Sequence, residues 1–294
     1  MPFRPLRMKG FFALKGGICM KISFIGAGSM AEAMISGMLE KRIVKAGDIR
    51  AHNRTNKKRL RTLEQKYGIQ TAKGLKQLFE GPDVVILAVK PKDAPDVLES
   101  VRPLISPDTL LVSVAAGITI PFIENKIGRH IPVARAMPNT SAKVGLSATG
   151  IAFNAAATKQ HRHRAFAIFS AVGMTTAVKE EQLDAVTGLS GSGPAYIYYI
   201  AEALQQSAAE IGLDAQTAKQ FILQTIIGAA EMLKTSAEPP EALRKAVTSP
   251  NGTTEAAIRV LDEREVKQAF IDCVKAAAKR ANELSNAGKE PARE

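Results

Sequence analysis

Six residues near the start of the chain, Gly26-Ala-Gly-Ser-Met-Ala31, follow the apolar run Ile22-Ser-Phe-Ile25. Behind them Ala33, Met34, Gly37, Met38 and Leu39 recur at helical spacing. In that setting Gly26 permits a sharp strand-to-helix turn, and Gly28 lets the backbone approach a diphosphate. Ala31 is small enough for the helix to lie close to a sheet. The helix start adds unpaired N–H groups and a partial positive charge. Gly-x-Gly-x-x-Ala alone is a common turn composition; its place between strand and helix makes it a dinucleotide motif. Ile25, Gly26, Ala27, Gly28, Ser29 and Met30 are therefore expected against the phosphates.

The next strand ends in Ala51-His52-Asn53-Arg54-Thr55. A site for NAD usually carries an acidic residue here, accepting from the ribose 2′-hydroxyl. Asn53 is neutral, and Arg54 followed by Thr55 suits a 2′-phosphate, so NADP(H) is expected, with NAD(H) possible. Further strand ends, Ala88-Val89-Lys90-Pro91 and Val114-Ala115-Ala116-Gly117, should open on the same crevice. Their small residues and proline would admit a flat nicotinamide and its ribose. Met137-Pro138-Asn139-Thr140 places an amide and a hydroxyl where the reactive end should lie.

Two later segments combine hydroxyls, glycine and a helix start: Thr187-Gly-Leu-Ser190-Gly191-Ser192-Gly193-Pro194 and Thr248-Ser249-Pro250-Asn251-Gly252-Thr253-Thr254-Glu255. Each reads as a nest for a small carboxylate; taken singly, each also reads as ordinary N-capping. His161-Arg-His163 has no neighbouring cysteine or carboxylate cluster and is expected on the surface; His52 and His130 show no partners. With no Ser-His-Asp arrangement and no His-Glu-x-x-His, neither a hydrolase nor a metal site is expected.

These residues need elements to hold them. Strand-like runs occur at Lys21–Ile25, Ile49–Asn53, Val84–Val89, Leu110–Val114, Ile131–Ala136, Ala148–Phe153 and Thr175–Val178, with helix-like segments such as Asn56–Tyr67 and Ala94–Val101 between. Short, doubly apolar strands alternating with helices imply a mostly parallel sheet covered on both faces. From about residue 182 the period is helical. One helix runs from Pro194 through Leu204; a second opens after Gly212-Leu-Asp214; a third starts beyond Pro250-Asn-Gly252; a fourth spans Val266–Leu284. The expected fold is α/β, a Rossmann-type N-terminal domain at 20–180, with an all-α C-terminal domain at 181–285. Residues 1–19 read as a flexible extension and 286–294 as a tail. An alanine-rich helical domain this small would gain from a second copy, so a homodimer is expected.

The 294 residues are enough for two domains, and 46% hydrophobic with 23% charged residues excludes a disordered chain. No apolar run approaches ~20 residues, so no membrane span is expected. Two cysteines, Cys19 and Cys273, provide no disulfide framework and fit a cytoplasmic protein. The net charge of +12 is scattered among few aromatics, which reads as a basic surface for anionic small molecules rather than for nucleic acid.

Taken as a set, the motifs resemble pyrroline-5-carboxylate reductases from Met20 to about Leu284. The stretches that carry the resemblance are Phe24–Ala33, Asp83–Pro91, Arg135–Thr140, Asp184–Tyr196 and Val247–Thr254. The last two are specific to that family; the first is shared with many dehydrogenases. The resemblance implies reduction of (S)-1-pyrroline-5-carboxylate to L-proline by NAD(P)H, the last step of proline biosynthesis. It also implies a helical domain that dimerises by interlocking, sometimes building decamers, with the substrate pocket at the dimer interface. The family's carboxylate-binding turn matches Ser249–Thr254, and Thr254 matches its hydroxyl near the ring nitrogen. Ser190–Gly193 is expected to assist. The family's cofactor loops match Ile25–Met30, Ala88–Pro91 and Ala115–Gly117. Ser141 stands where the family usually has proline, and Asn251 where it usually has glycine. A β-hydroxyacid or ketoacid-type reductase shares the N-terminal fingerprint, but would call for a lysine on the first helix of the second domain. A non-catalytic NADP-binding regulator is the remaining alternative.

Overall fold

The computed structural model describes residues 20–287, so the reading for 1–19 and most of that for the 286–294 tail lie outside it; residues 286 and 287 continue the last helix instead of starting a tail. The described residues form two compact units, 20–186 with 282–287, and 187–281.

Among the described residues the first unit is built on eight strands. They are β1 (Ile22–Ile25), β2 (Ile49–His52), β3 (Gln70–Thr71), β4 (Val84–Leu87), β5 (Leu110–Ser113), β6 (Val133–Met137), β7 (Ser147–Phe153) and β8 (Gly173–Ala177). They form one sheet in the order β3-β2-β1-β4-β5-β6-β7-β8. Every pair is parallel except β6 with β7. The helices α1 (Ser29–Glu40), α2 (Lys57–Tyr67), α3 (Leu75–Leu78), α4 (Ala94–Val101), α5 (Ile120–Ile127), α6 (Lys159–Ser170) and α7 (Leu183–Val186) connect and flank them. Two-residue β3 carries too little pattern to be read from sequence.

Strands β1, β4 and β5 are buried along their whole length, as expected for strands covered on both faces. Alternate residues serve opposite faces. Phe24, Ile86 and Val112 join Met34, Leu63 and Phe169 in one core; Ile25, Val85 and Leu111 join Leu98, Ile123 and Ile127 in the other. The strand order runs outward in both directions from β1 and β4, so the crevice at their carboxyl ends is the topological switch point of the sheet.

The second unit is helical. A π-helical turn at Thr187–Gly191 leads into α8 (Gly193–Glu210), followed by α9 (Ala215–Thr235), α10 (Pro240–Ala246), α11 (Thr253–Glu263) and α12 (Val266–Ala287). Pro194 lies in the first turn of α8, and the Asp214 carboxylate caps α9 through the amides of Gln216 and Thr217. Helix α10 escapes a reading by period because it is short and opened by Pro239-Pro240. The period changes near 180, whereas the compact units divide after Val186, and residues 282–287 belong with the first unit.

Candidate active site: a nucleotide crevice and two glycine-bearing turns

At the switch point a cleft of about 540 Å³ is lined by Ile25, Gly26, Ala27 and Gly28. Asn53, Arg54, Ala88, Val89 and Lys90, all anticipated from the sequence, line it as well. Gly26 adopts φ +104°, and a Cβ there would stand 2.4 Å from the Ala88 carbonyl oxygen, so only glycine fits between the strands. Its amide donates to the His52 carbonyl at 2.8 Å, tying the turn to β2. Gly28 differs: it precedes α1 in extended conformation, and nothing lies within 4 Å of where a Cβ would be. The space a side chain would fill is therefore open at a helix N-terminus.

The Asn53 side chain is occupied by the backbone. Its Oδ1 accepts from the amides of Thr55 at 3.1 Å and Asn56 at 2.9 Å, folding the chain tightly after β2. Exposed Arg54 and Thr55 are thereby presented on the cleft wall. Lys90 is exposed there too, joined by Lys92, Asp93 and Asp96, which the sequence did not single out. His52 has a partner after all: its Nδ1 lies 3.0 Å from the Ala72 carbonyl oxygen.

Other anticipated cofactor residues lie off this cleft wall. Ser29 is exposed at the start of α1, Met30 packs against Ala33, Ala142 and Val172, and Pro91 opens a 3₁₀ turn. Ala115 is buried in the core, with Ala116 half-buried beside it. Gly117, at φ +77°, has a packing reason to be glycine: a Cβ would meet the Leu284 backbone at 3.1 Å. Met137 packs half-buried against the core. Asn139 Oδ1 accepts from the Ser141 amide at 3.1 Å, capping the turn after β6. Ser141, in the family's usual proline position, sits within that 3₁₀ turn.

His161 is buried rather than on the surface: it closes a capping box with Thr158 at the start of α6, and its Nε2 lies 3.2 Å from the Asp108 carbonyl oxygen. No cluster of His, Cys, Asp or Glu among the described residues could hold a metal ion.

One buried charged group is not marked by its residue type or spacing in the sequence. Arg135, 5% exposed on β6, donates to Asp184 Oδ1 at 2.9 Å and to Ser285 Oγ at 3.1 Å. Glu180 lies 3.5 Å from the same guanidinium, and Ser285 also donates to Asp184 at 2.8 Å. Burying one arginine against two carboxylates needs such dense hydrogen bonding. Its sequence signal was the presence of Arg135 and Asp184 inside two of the family-like stretches.

In the helical unit, Ser190 and Gly191 lie in the π-helical turn that leads into α8. The Ser192 amide donates to the Thr187 carbonyl at 2.9 Å, so that donor is spent. Tyr196 braces the turn by donating to the Gly188 carbonyl at 2.8 Å, and partial burial pushes its phenol up. The Ser249–Thr254 bend closes with the Gly252 amide on the Ser249 carbonyl at 3.0 Å. Asn251 takes φ +57°, which asparagine tolerates better than most residues, and its amide donates to Glu255 at 2.8 Å. Thr253 and half-buried Thr254 then open α11, whose first N–H groups have no intrahelical acceptors.

Comparison with known proteins gives the chain its place. Residues 180–284 match the pyrroline-5-carboxylate reductase dimerisation family, and residues 21–117 match the family of coenzyme F420-dependent NADP oxidoreductases. Pyrroline-5-carboxylate reductase 2 of Bacillus subtilis is 46% identical over 90% of this chain and 95% of its own length. A pyrroline-5-carboxylate reductase structure from Coxiella burnetii superposes with a TM-score of 0.84 at 39% identity, covering 90% of this chain and 98% of the other. The pyrroline carboxylate reductase of Plasmodium falciparum, crystallised with NADP bound, gives 0.84 at 28% identity, with coverages of 92% and 100%. An identity of 46% along nine-tenths of the sequence, together with the fold and the crevice, establishes that the chain belongs to the pyrroline-5-carboxylate reductase family.

Proposed function

We propose that this chain reduces (S)-1-pyrroline-5-carboxylate to L-proline with NADPH as the preferred donor and NADH as a second one. The observation that carries this reading is the 46% identity to a named reductase across 90% of the chain. The cleft fits a dinucleotide. Gly28 leaves an open cradle at the α1 N-terminus, where amides can meet the diphosphate. Arg54 and Thr55 would hold the 2′-phosphate, with Lys90 adding positive charge. When bound, the reduced nicotinamide supplies a hydride to the imine carbon.

The chain's own residues have a modest chemical task. A cyclic imine is strongly electrophilic once its nitrogen carries a proton, so orientation matters more than a strong acid, and orientation alone is worth several kcal/mol. The amides of Thr253 and Thr254, with Ser249, would hold the substrate carboxylate in the bend that Gly252 closes, assisted by Ser190–Gly193. Thr254 Oγ would accept from the protonated ring nitrogen, fixing the ring and stabilising its charge. The product amine retains that proton.

The ketoacid-reductase alternative calls for a proton donor to a forming alkoxide. Helix α8, Gly193–Glu210, contains no lysine to serve. We further propose a homodimer through the helical unit, working in the cytoplasm on a small imino acid and not on nucleic acid. No described helix is long and apolar enough to cross a membrane. Steady-state kinetics with pyrroline-5-carboxylate, and with a panel of ketoacids, against each reduced cofactor test the reading. Imine turnover faster with NADPH is expected. Ketoacid turnover, or nucleotide binding without any turnover, would overturn it.

A further inference from the structure

The glycine turn of the crevice is braced from outside by a residue to which the reading above gives no role. Arg59, in the first turn of α2, donates from Nε to the Ala27 carbonyl oxygen at 3.0 Å, and its guanidinium also hydrogen-bonds the Glu32 carboxylate of α1. Glu32 accepts two more donors at 3.0 Å, Lys66 Nζ and the Tyr67 hydroxyl. The Arg59 amide is itself fixed, donating to Asn56 Oδ1 at 2.9 Å. Arg59 and Glu32 side chains are 28% and 22% exposed, so solvent screens this group only in part.

The geometry of a peptide gives the brace its consequence. In a planar trans peptide the C=O and the following N–H point in opposite directions. Holding the Ala27 carbonyl toward Arg59 therefore aims the Gly28 N–H the other way, and Gly28 lines the crevice. A charged donor on the carbonyl also polarises the peptide and strengthens its N–H as a donor. Glu32 would otherwise be a liability, a carboxylate in the first turn of a helix whose N-terminus serves an anion. Burial pushes that carboxyl up, but hydrogen bonds from Arg59, Lys66 and Tyr67 outweigh it and hold it at about 2. It stays ionised, with its charge matched by cations.

We propose that Arg59 is a positioning residue for the cofactor: by holding the Ala27 carbonyl it aims the Gly28 N–H at the diphosphate. It serves NADPH and NADH alike, leaving recognition of the 2′-phosphate to Arg54 and Thr55. The inference rests on the nucleotide reading of the crevice. The rival role for Arg59, direct contact with the 2′-phosphate, would make it selective.

Titrating the full chain with NADPH and NADH by nucleotide fluorescence separates the two. Arg59→Ala should weaken both cofactors by a similar factor, about tenfold for loss of a charged hydrogen bond. The loss should fall on nucleotide Kd rather than on the KM of the imino acid. Arg59→Lys, able to reach one acceptor but not both, should recover part of it. Glu32→Gln should weaken both cofactors equally and less, whereas Arg54→Ala should weaken NADPH alone. A selective loss of NADPH in Arg59→Ala, or no loss of either, overturns the proposal. If Arg59→Ala does not fold, equal losses in Arg59→Lys and Glu32→Gln carry the same test. A wild-type chain that binds neither nucleotide overturns the reading of the crevice instead.

Discussion

Thr254 is the residue on which the proposed chemistry most directly depends. It lies in the first turn of α11; in the proposed chemistry the backbone amides there would hold the carboxylate and the hydroxyl would be left to the ring nitrogen. Thr254→Ala should lower kcat/KM for the imine by about tenfold to a hundredfold, as loss of a hydrogen bond to a charged group implies, with little change in NADPH affinity. Thr254→Ser should restore most of it; unchanged turnover in the alanine variant would remove Thr254 from the mechanism. Glu32 supports a prediction of a different kind. Its folded-state carboxyl sits at about 2 against an ordinary 4.5, so ionisation favours the folded chain. That stability is fully present above the unfolded value and is lost as pH falls from there toward the folded value. Urea midpoints for wild type and Glu32→Gln should differ by a constant amount above about pH 5 and converge as the medium becomes more acid. A gap that widens on acidification would contradict the cation-paired arrangement.

At the level of elements, the β1–α1 junction separates two uses of glycine that look identical in the sequence. Gly26→Ala forces a Cβ against the Ala88 carbonyl at a positive φ, so strand, turn and helix must shift; lower Tm and lost nucleotide binding should come together. Gly28→Ala meets nothing in the protein and keeps an ordinary backbone, so Tm should hold while the added methyl raises the Kd of both cofactors. Differential scanning calorimetry beside nucleotide titration tells the two apart, and equal destabilisation by both would refute the distinction. The junction was legible beforehand because its parts are consecutive: apolar strand, glycines, small residue, helix. The Asp214 cap was legible for the same reason. What stayed hidden depends on residues far apart in the chain. Arg135 reaches Ser285, Arg59 reaches Ala27, and Gly117 is small because Leu284 passes beside it. His161 looked like a surface residue since its partners are a cap and a carbonyl of another loop, neither marked by residue type. Of the anticipated cofactor residues, those at the ends of β1, β2 and β4 line the cleft, because strand order brings these ends together.

For the whole molecule, the two units contrast in how they cover apolar surface. The sheet unit buries two continuous cores, but the helical unit leaves many large apolar side chains open in the single chain. Phe221 is 63% exposed and Ile227 59%, and Tyr198, Leu223, Met232, Leu233 and Val260 are each more than half exposed. Scattered apolar residues on a surface need no explanation, whereas a concentration along helices marks an association surface. An interface built from such helices would resemble a domain core divided between copies, the character of obligate homodimers. A second copy of this chain is thus the occupant that the apolar content of α8, α9 and α11 calls for. Ile227→Asp would bury a carboxylate in that interface at a cost no exposed helix position would register. In analytical ultracentrifugation the wild type should sediment as a dimer or a multiple of it, and Ile227→Asp as a smaller species. Because the crevice residues all belong to the sheet unit, the variant should still bind NADPH while losing imine turnover, if the substrate site needs the assembled helices. A monomeric wild type with full activity would show that the exposed helix faces serve another purpose. An Ile227→Asp variant that dissociates yet keeps its turnover would show instead that one chain holds a complete substrate site.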